Sequence, residues 1–431
     1  METNGLILVS VDDHVIEPRE LFDAHIPEKY RDRAPRVLVD DTTGDEYWQF
    51  EDERAAYMGL NAVAGCPPEE YGLSPTRYEQ MRSGCYDVHE RVRDMNVNGV
   101  LGSINFPSFP HFCGQLFSRA KDKDLAINVV RAYNDWHIDE WCGAYPDRFI
   151  PCAITPFWDP ELMAAEVRRT AAKGCHSLTF SENPEKLGEP GLHSDHWDPF
   201  WAACVDTGTV VNLHIGSSSA MIVTSLDAPA DVSIAVTPMN SFLALCDLMW
   251  TPIFKKFPGI KVALSEGGIG WIPYALERMD YVYAHHHAWT GADFGGKRPS
   301  DVFREHVFTC FIDDASGLEQ RHRVGVDGIM WECDYPHSDS TWPQSPETLM
   351  ASLAGIPDAE IDQITHLNAM RVYQFDPFAI RPRERCTVGA LRAESPDVDT
   401  SLRSIGKPTG VGAMTARQLA AIARPAALDA E

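Results

Sequence analysis

The chain has 431 residues, 44% apolar and 23% charged, with a formal net charge of -26 at pH 7. This composition predicts a folded protein of one large domain or two ordinary ones, and the acidity argues against nucleic acid, whose binding surfaces need Lys and Arg to neutralise phosphate. We read no uninterrupted apolar stretch near the ~20 residues of a membrane helix and no signal peptide at the N-terminus, so we expect a cytoplasmic enzyme with no membrane partner.

Eight short apolar segments rich in β-branched residues recur along the chain, and a longer stretch with helical spacing follows most of them. The predicted strands are Ile7–Val15, Gly99–Phe106, Phe149–Pro156, His176–Ser181, Val210–Ile215, Val262–Glu266, Val307–Asp313 and Ile329–Tyr335. Eight strand–helix units predict an α/β fold, a (β/α)8 TIM barrel. An open doubly wound sheet is the alternative, but no GxGxxG motif follows the first strand to favour it.

Three segments between the strands have the spacing of amphipathic helices. They are residues 159–174, 240–257 and 272–289. Asp159 and Asn240 stand where an N-cap residue is expected, because short polar side chains accept hydrogen bonds from the first free amides of a helix.

Two regions depart from the alternation of strands and helices. About 80 residues, roughly 18–98, separate the first two strands and include the hairpin-like segment EYWQFEDERAAYM; an insertion this long usually covers a site, so we expect a lid. After Phe375 the chain becomes polar and rich in Pro and Gly. We therefore divide the chain into a barrel, 1–375, and a C-terminal arm, 376–431, that lies on a second subunit of a homodimer or higher homo-oligomer.

Polar side chains gather at the carboxyl ends of five predicted strands, which is where a barrel of this type carries its site. They are Asp12, Asp13 and His14; His214; Glu266; Asp313 and Asp314; and Glu332, Asp334 and His337. Carboxylates and imidazoles together suit Zn²⁺, Mn²⁺ or Fe²⁺. Strand residues two apart face the same side, so Asp12 and His14 can face one ion while Asp13 faces away. Taken alone, that pair also fits a strand end with solvated charges.

Four motifs in chain order carry a family resemblance. They are DDHVIEP at the first strand, NLHIG at the fifth, SEGGIGW at the sixth and WECDYPHSDSTWP at the eighth. Together they resemble the amidohydrolase-2 branch of the amidohydrolase superfamily, which includes the aminocarboxymuconate-semialdehyde decarboxylase group. The resemblance covers most of residues 7–375 and implies a distorted barrel with one divalent metal ion, Zn or Mn. It assigns the ligands to Asp12, His14, His214 and Asp334.

Two features set this sequence apart within that superfamily. No lysine ends the fourth strand, in SLTFSENP, so the carbamylated bridge of the dinuclear members is absent and the resemblance implies a mononuclear site. Decarboxylases of this branch carry a histidine after strand six, commonly in an HxGE-like run. Here that position holds Glu266, and Ile269 replaces the acid of the run.

The departure at Glu266 makes a hydrolase our main prediction. A metal-activated water would attack a C–N, C–O or C–C acyl bond of a small cyclic or aromatic substrate. Asp334 would bind the ion and accept the water's proton, and Glu266 would act as general acid or base. His337 would either support a metal ligand or orient the substrate. Alternatively, Glu266 is tied to backbone amides of its Gly-rich turn.

Two other functions stay open at this point. One is non-oxidative decarboxylation of an aromatic or enoic carboxylate, which needs a proton donor near the metal. The other is a non-catalytic metal-binding scaffold. The alternatives differ in their products, since a decarboxylase releases CO2 without consuming water.

Five residues are predicted around this centre with less specific signals. Trp271, Tyr274, Asn240 and His111 are expected to contact the substrate, because aromatic and polar groups at a barrel mouth line pockets. Glu17, just before Pro18, is expected either to serve the metal site or to form a salt bridge with the lid.

Overall fold

The computed structural model describes residues 1–55, 59, 61–72, 75–406 and 415–417. In these residues the strands are β1 (Val9–Val15), β2 (Arg36–Val39), β3 (Glu46–Phe50), β4 (Glu53–Ala55), β5 (Gly102–Pro107), β6 (Phe149–Ile150), β7 (Ser177–Phe180), β8 (Val210–His214), β9 (Lys261–Ser265), β10 (Val307–Phe311) and β11 (Ile329–Trp331).

The α-helices lie mostly between consecutive strands of the barrel. They are α1 (Leu21–His25), α2 (Val88–Asn98), α3 (Gln115–Ser118), α4 (Lys123–Asp135), α5 (Pro160–Ala171), α6 (Asp198–Thr207), α7 (Ala230–Val236), α8 (Met239–Met249), α9 (Ile253–Lys256), α10 (Ile272–Thr290), α11 (Pro299–His306), α12 (Ala315–Glu319), α13 (Arg321–Val324), α14 (Ser345–Ser352), α15 (Asp358–Asp362), α16 (Asn368–Tyr373) and α17 (Val388–Glu394). Two π-helical segments, Trp136–Cys142 and Gln363–Leu367, follow α4 and α15.

Eight parallel strands form one sheet in the order β6-β5-β1-β11-β10-β9-β8-β7. The two edges meet at Ala153, just after β6, which bridges Leu178 of β7. The amide of Ala153 donates to the carbonyl of Ser177, and the amide of Thr179 donates to the carbonyl of Ala153, each over 3.0 Å. These bonds close the sheet into the predicted (β/α)8 barrel, and every predicted strand is present.

The predicted helices are found, with one break and one misplaced cap. Asp159 caps α5 and accepts hydrogen bonds from the amides of Glu161 and Leu162. The segment 240–257 divides into α8 and α9. The prediction that Asn240 is an N-cap was wrong: Pro238 holds that position and Asn240 lies inside the first turn of α8.

The long insertion contains a small antiparallel sheet in the order β2-β3-β4. The hairpin β3–β4 is the predicted hairpin-like segment, although its residues 56–58 lie outside the described part of the chain. Trp48 of β3 is buried and stacks on Phe109, with ring centroids 4.4 Å apart. This stacking joins the insertion to the loop that follows β5.

The described part of the C-terminal arm packs on its own chain. The amide of Val388 donates to the carbonyl of Leu6, and the amide of Arg403 donates to the carbonyl of Gly65 in the insertion, both over 2.8 Å. Thr415 bridges Pro229, ahead of α7. The Ala-rich end, 418–431, lies outside the described residues. The division at residue 375, the lid and the contact with a second subunit stay predictions.

One helical stretch, Ala230–Met249, is long and apolar enough to cross a membrane on length and composition alone. It consists of α7 and α8, and Leu245 and Leu248 of α8 pack in the hydrophobic core. A core helix passes the same composition test, so the stretch is weak evidence for a membrane span.

Candidate functional site

The predicted metal ligands converge at the carboxyl-terminal mouth of the barrel. The Nε2 atoms of His14 and His214 lie 3.2 Å apart. Oδ1 of Asp12 is 3.5 Å from both of these atoms, and Oδ1 of Asp334 is 3.4 Å from Nε2 of His14. All four side chains are fully buried. Their ligand atoms therefore share one small volume, although β1, β8 and the turn after β11 are far apart in sequence.

Backbone hydrogen bonds set the register between the two strands that supply three of these groups. The amide of Asp334 donates to the carbonyl of Asp12 over 2.8 Å, and the amide of His14 donates to the carbonyl of Tyr335 over 2.7 Å. These bonds continue the pairing of β1 and β11 past Trp331, where β11 ends. Asp12 and His14, two residues apart, consequently face Asp334 from the same side of β1.

The ring of His214 is held in one tautomer by a hydrogen bond behind it. Its Nδ1 donates to the carbonyl of Ile215 over 2.6 Å, so the neutral ring directs the lone pair of Nε2 at His14. Two phenylalanines support this orientation, because Phe112 and Phe106 lie 4.3 and 4.9 Å from the His214 ring, centroid to centroid. A backbone carbonyl that accepts a hydrogen bond from the second ring nitrogen is the usual arrangement for a metal-binding histidine.

Among the described residues, the carboxylates of Asp12 and Asp334 make no hydrogen bond of normal geometry, although imidazole nitrogens lie near both. Carboxylate oxygens without such bonds are costly to bury. The two facing Nε2 atoms, 3.2 Å apart, can share only one proton between them. A divalent cation bound here would compensate the carboxylates and accept a lone pair from each ring. Two imidazole nitrogens and two carboxylates are also a donor set suited to Zn²⁺ or Mn²⁺, so the residues present fit a divalent ion.

Burial controls the protonation of these groups in the protein alone. It raises the pKa of Asp12 and of Asp334 well above the usual value, with the neighbouring acids Asp13 and Asp12, respectively, adding to the rise. Burial also lowers the pKa of His14 well below its usual value. Each shift favours a neutral side chain. A bound divalent cation would reverse the preference of the carboxylates.

Glu266 stands beside this cluster in a strained backbone conformation. Its φ is +59°, a left-handed value uncommon for residues other than glycine. Its Oε2 lies 3.3 Å from Nε2 of His214, and its side chain is 20% exposed. The amides of the following turn, at Ile269 and Gly270, donate to Asp314. Glu266 thus faces the mouth of the barrel. Hydrogen bonds to Asp314, and not to Glu266, hold its Gly-rich turn.

His337 lies on the opposite side of the cluster. Its Nδ1 is 2.9 Å from Oδ1 of Asp334, and its ring stacks on His14 with centroids 3.8 Å apart. Burial lowers the pKa of His337 to about 4. His337 thus contacts both Asp334 and His14, and the role predicted for it stays a prediction.

Two residues beneath the cluster were given no role by sequence reasoning. Glu332 and Cys310 are buried beside Asp12, with Sγ of Cys310 2.6 Å from Oε2 of Glu332. The same carboxylate accepts the amide of Glu266 over 3.2 Å. Glu332 is two residues before Asp334, so its inward direction could have been read from the strand period. Its pairing with Cys310 depends on the neighbouring strand.

Glu182, which lies just after β7, was likewise given no role by sequence reasoning. Its Oε1 accepts the amide of Gly216 over 3.0 Å and the hydroxyl of Ser218 over 2.8 Å. These bonds fix the loop that begins directly after His214. The sequence could have indicated Glu182, because it is an acidic residue at a strand end, in SLTFSENP, like those identified at the other strands.

The acids that flank the DxH pair take structural positions. Asp13 faces away from the cluster, as predicted, and accepts hydrogen bonds from the Ser10 hydroxyl and the Tyr335 amide. Both oxygens of Glu17 accept backbone amides, those of Ser108 and Phe109, at 2.9 and 2.8 Å. Neither predicted role of Glu17, at the metal or in a salt bridge to the lid, matches these contacts. Its carboxylate instead orders the loop after β5.

Among the predicted substrate contacts, Tyr274 is not supported. It is 67% exposed, because the residues of α10 that pack inward include Ala275 and Leu276 and leave position 274 on the outer face. Trp271 donates from Nε1 to the carbonyl of Gly267, and Asn240 is buried close to Met221.

His111 adopts a left-handed φ of +60° in the loop after β5. Burial lowers its pKa to about 4. The contacts of His111, Trp271 and Asn240 with a substrate stay predictions.

Comparisons with known proteins agree with this architecture. A family model described as amidohydrolase matches residues 23–375. A γ-resorcylate decarboxylase of Rhizobium sp. strain MTP-10005 is 23% identical over 353 residues, which is 76% of this chain and 98% of that protein. An amidohydrolase structure from Mycobacterium avium subsp. paratuberculosis K-10 aligns with a TM-score of 0.64 at 21% identity, covering 85% of this chain and 99% of that one.

A second solved structure carries a ligand relevant to the cluster. It is a 5-carboxyvanillate decarboxylase variant from Novosphingobium aromaticivorans with bound manganese and a nitrobenzoic acid. It aligns with a TM-score of 0.60 at 19% identity and covers 86% of this chain and 98% of that one. At this identity the likeness establishes the shared fold.

Proposed function

Because the chain belongs to the amidohydrolase family, we propose that it is a metal-dependent decarboxylase that removes CO2 non-oxidatively from a small aromatic carboxylate. The observation that carries this proposal is the cluster of two facing imidazoles and two buried carboxylates without hydrogen bonds of normal geometry at the barrel mouth. Relatives that act as decarboxylases support this reaction over hydrolysis, which was the main prediction from the sequence. An enoic carboxylate is the less favoured substrate, because γ-resorcylate and 5-carboxyvanillate, named for two of the related decarboxylases, are aromatic.

Four residues would hold one divalent ion: Asp12, His14, His214 and Asp334. Zinc and manganese both suit this donor set, and manganese is the ion in the related decarboxylase structure. When bound, the ion supplies Lewis-acid polarisation and offsets negative charge at the substrate carboxylate. His337, which contacts Asp334 and stacks on His14, keeps these two groups oriented.

In this proposal Glu266 delivers the proton that replaces CO2. It is partly exposed at the mouth, 3.3 Å from His214, and stands where decarboxylases of this branch carry a histidine. In the proposed step the bond between the ring carbon and the carboxylate breaks, the electron pair stays on carbon and takes the proton of Glu266, and CO2 leaves. Solvent then returns a proton to Glu266, so the reaction needs no oxidant.

One aromatic ring beside the cluster offers a surface against which a flat substrate would pack. Phe112 is partly exposed and lies 4.3 and 5.3 Å from the rings of His214 and His14, centroid to centroid. Its face is suited to stacking on a benzoate-like ring, whereas Phe106 is fully buried. Phe112 therefore supports the proposal of an aromatic substrate.

Isotope incorporation separates decarboxylation from hydrolysis. The purified, metal-loaded protein is incubated with a panel of hydroxybenzoates, including γ-resorcylate and 5-carboxyvanillate, and with aryl amides, esters and lactones. In D2O a decarboxylase releases CO2 and places one deuterium on the carbon that lost it. In H2¹⁸O a hydrolase places ¹⁸O in its product. Incorporation of ¹⁸O without CO2 release would overturn the proposal in favour of the hydrolase.

We also propose that the protein acts in the cytoplasm as a homodimer or higher homo-oligomer, with residues 18–98 as lid and 376–431 as arm. Two-fold dimers are the commonest symmetric assemblies. Light scattering coupled to size-exclusion chromatography tests the assembly, and a mass equal to one chain at micromolar concentration would contradict it.

A further inference from the structure

A buried hydrogen-bonded cluster lies directly behind the segment that carries Asp334. Asp94, on α2, accepts two hydrogen bonds from the guanidinium of Arg82, over 2.6 and 3.0 Å. It accepts a third from the hydroxyl of Tyr335 over 2.6 Å. The side chains of Asp94 and Tyr335 are almost fully buried. Tyr335 directly follows Asp334, so the cluster is one residue away from a proposed metal ligand.

The same helix also holds the segment that carries His14. Arg91, one turn before Asp94 on α2, donates to the backbone carbonyl of His14. It also donates to the carbonyl of Gly84 over 2.6 Å, and its guanidinium lies 4.5 Å from the centre of the Tyr335 ring. Helix α2 thus contacts both ligand-bearing segments through Arg91 and Asp94, and both of these side chains contact Tyr335.

The insertion and the C-terminal arm meet at this cluster. Arg82 belongs to the insertion, and its Nη1 donates to the carbonyl of Asp399 in the arm over 3.0 Å. A Cβ atom at Gly84 would collide with the carboxylate of Asp94, so the part of the insertion that precedes α2 packs too closely on this helix for any side chain there. Loosening either segment would therefore change the surroundings of Asp94.

Asp334 needs such support because its backbone is strained. Its φ is +58°, a left-handed value that costs free energy for a residue with a Cβ atom. Conformations of this kind persist where the surrounding structure holds them. On one side, Tyr335 is held by the amide of His14, which donates to its carbonyl, and by the bond from its hydroxyl to Asp94. On the other side, the amide of Cys333 donates to the Ser10 hydroxyl over 2.8 Å.

From this geometry we propose that Arg82, Asp94 and Tyr335 are positioning residues that keep Asp334 in its left-handed conformation and thereby set the affinity of the site for its divalent ion. The inference rests on the metal site of the proposed function. It goes beyond that site because the described hydrogen bonds of these three side chains do not include the side chains of the four proposed ligands, and because it makes the insertion and the arm contributors to metal affinity.

Tyr335→Phe tests the inference, since it removes one hydroxyl and keeps the ring that packs on Arg91. Tyr78→Phe is the matched control: it removes an equally buried hydroxyl, one that joins the same insertion to the carbonyl of Glu17. Affinity for Mn²⁺ and Zn²⁺ is measured by competition with a chelator. We expect Tyr335→Phe to weaken binding about tenfold, the low end of the effect of losing a group that supports a ligand, and Tyr78→Phe to change it less than twofold.

A second measurement does not depend on metal. Hydrogen–deuterium exchange of the metal-free protein should rise in peptides spanning residues 329–337 in Tyr335→Phe and stay at the wild-type level there in Tyr78→Phe. Equal metal affinities and equal exchange in the two variants would overturn the inference and leave the proposed function intact. A wild-type protein that binds no divalent ion would instead overturn the metal site, and unchanged exchange in Tyr335→Phe would then dismiss the positioning role as well.

Discussion

Nε2 of His14 and Nε2 of His214 face each other at 3.2 Å, and both rings are fully buried. His214 directs a lone pair at this gap because its Nδ1 proton is donated to the Ile215 carbonyl. The two carboxylates that border the gap make no hydrogen bond of normal geometry among the described residues. A positive charge in the gap, carried by protons or by a metal ion, therefore stabilises the arrangement.

Metal removal should therefore lower the stability of the folded chain. An ion present at ~100 times its Kd stabilises the native state by about 2.7 kcal/mol. We expect a chelator to lower the Tm of the wild type by several degrees in differential scanning fluorimetry, and Zn²⁺ or Mn²⁺ to restore it.

Asp334→Asn should lose this response, because the amide cannot supply the second negative charge. Asp313→Asn is the control, since Asp313 also follows a barrel strand but is exposed and contacts Ser352. A chelator-insensitive wild type, or an unchanged response in Asp334→Asn, would contradict the ligand assignment.

Glu266→Gln should abolish most of the activity while sparing metal binding. Removing a positioned proton donor typically costs ~10² to 10⁴ in rate, so we expect kcat to fall by about that factor and the metal content to stay near one ion per chain. Glu319→Gln, at an exposed position on α12, should leave both unchanged. Elemental analysis and CO2 release are measured on the same samples.

Glu266→His is a second, sharper variant at this position. It introduces the residue that decarboxylases of this branch carry, so we expect it to recover part of the activity that Glu266→Gln loses. Full activity in Glu266→Gln would remove Glu266 from the reaction.

The barrel, and the convergence of Asp12, His14, His214 and Asp334 at its mouth, could be predicted from the sequence for two physical reasons. Parallel strands covered on both faces appear as apolar runs, which made all eight visible. The two-residue period of a strand placed Asp12 and His14 on one side, and the mouth of the barrel brought them to His214 and Asp334. Local pattern and family resemblance pointed to the same residues.

The surroundings of other residues could not be predicted from the sequence, because they depend on contacts between distant segments. Glu17 pairs with amides 91 and 92 positions later in the chain, which no local pattern encodes. Tyr274 lies on α10 two residues away from Ile272, which is buried, and only the packing of the helix decides which side is covered. The link from Arg82 through Asp94 to Tyr335 likewise joins three separate segments.

Glu17→Gln should weaken the loop after β5 and change the pH dependence of stability. An amide side chain can accept only one of the two backbone amides now bound, and an unpaired buried N–H costs about 1–3 kcal/mol. Burial raises the pKa of Glu17 from 4.5 to about 7. The folded state thus holds this proton more tightly than the unfolded chain, so the contribution of Glu17 to stability falls as pH rises from 4.5 to 7.

Urea unfolding of the wild type and Glu17→Gln at pH 5, 6 and 7 measures both effects. The difference in unfolding free energy between the two proteins should shrink as pH rises, because only the wild type loses this contribution. A difference that stays constant across the three pH values would show that Glu17 does not titrate in this range.

His366 should give the opposite pH dependence. It is fully buried, its Nδ1 lies 3.2 Å from the Thr365 hydroxyl, and its Nε2 accepts from the Arg383 guanidinium over 3.4 Å. Burial and the charge of Arg383 lower its pKa from 6.5 to about 3. Below pH 6.5 the unfolded chain therefore binds a proton at His366 that the folded chain does not bind. The free energy of unfolding consequently falls by up to ~1.4 kcal/mol for each unit by which the pH is lowered.

His366→Gln removes this titration and should flatten the acid side of the stability curve, even where it lowers stability at pH 7. His322→Gln, at an exposed position, should retain the wild-type slope. Unfolding free energies from urea titrations between pH 4.5 and 7 measure the slopes. If the wild type and His366→Gln lose stability in parallel as pH falls, His366 accepts a proton in the folded state and its contact with Arg383 does not hold it neutral.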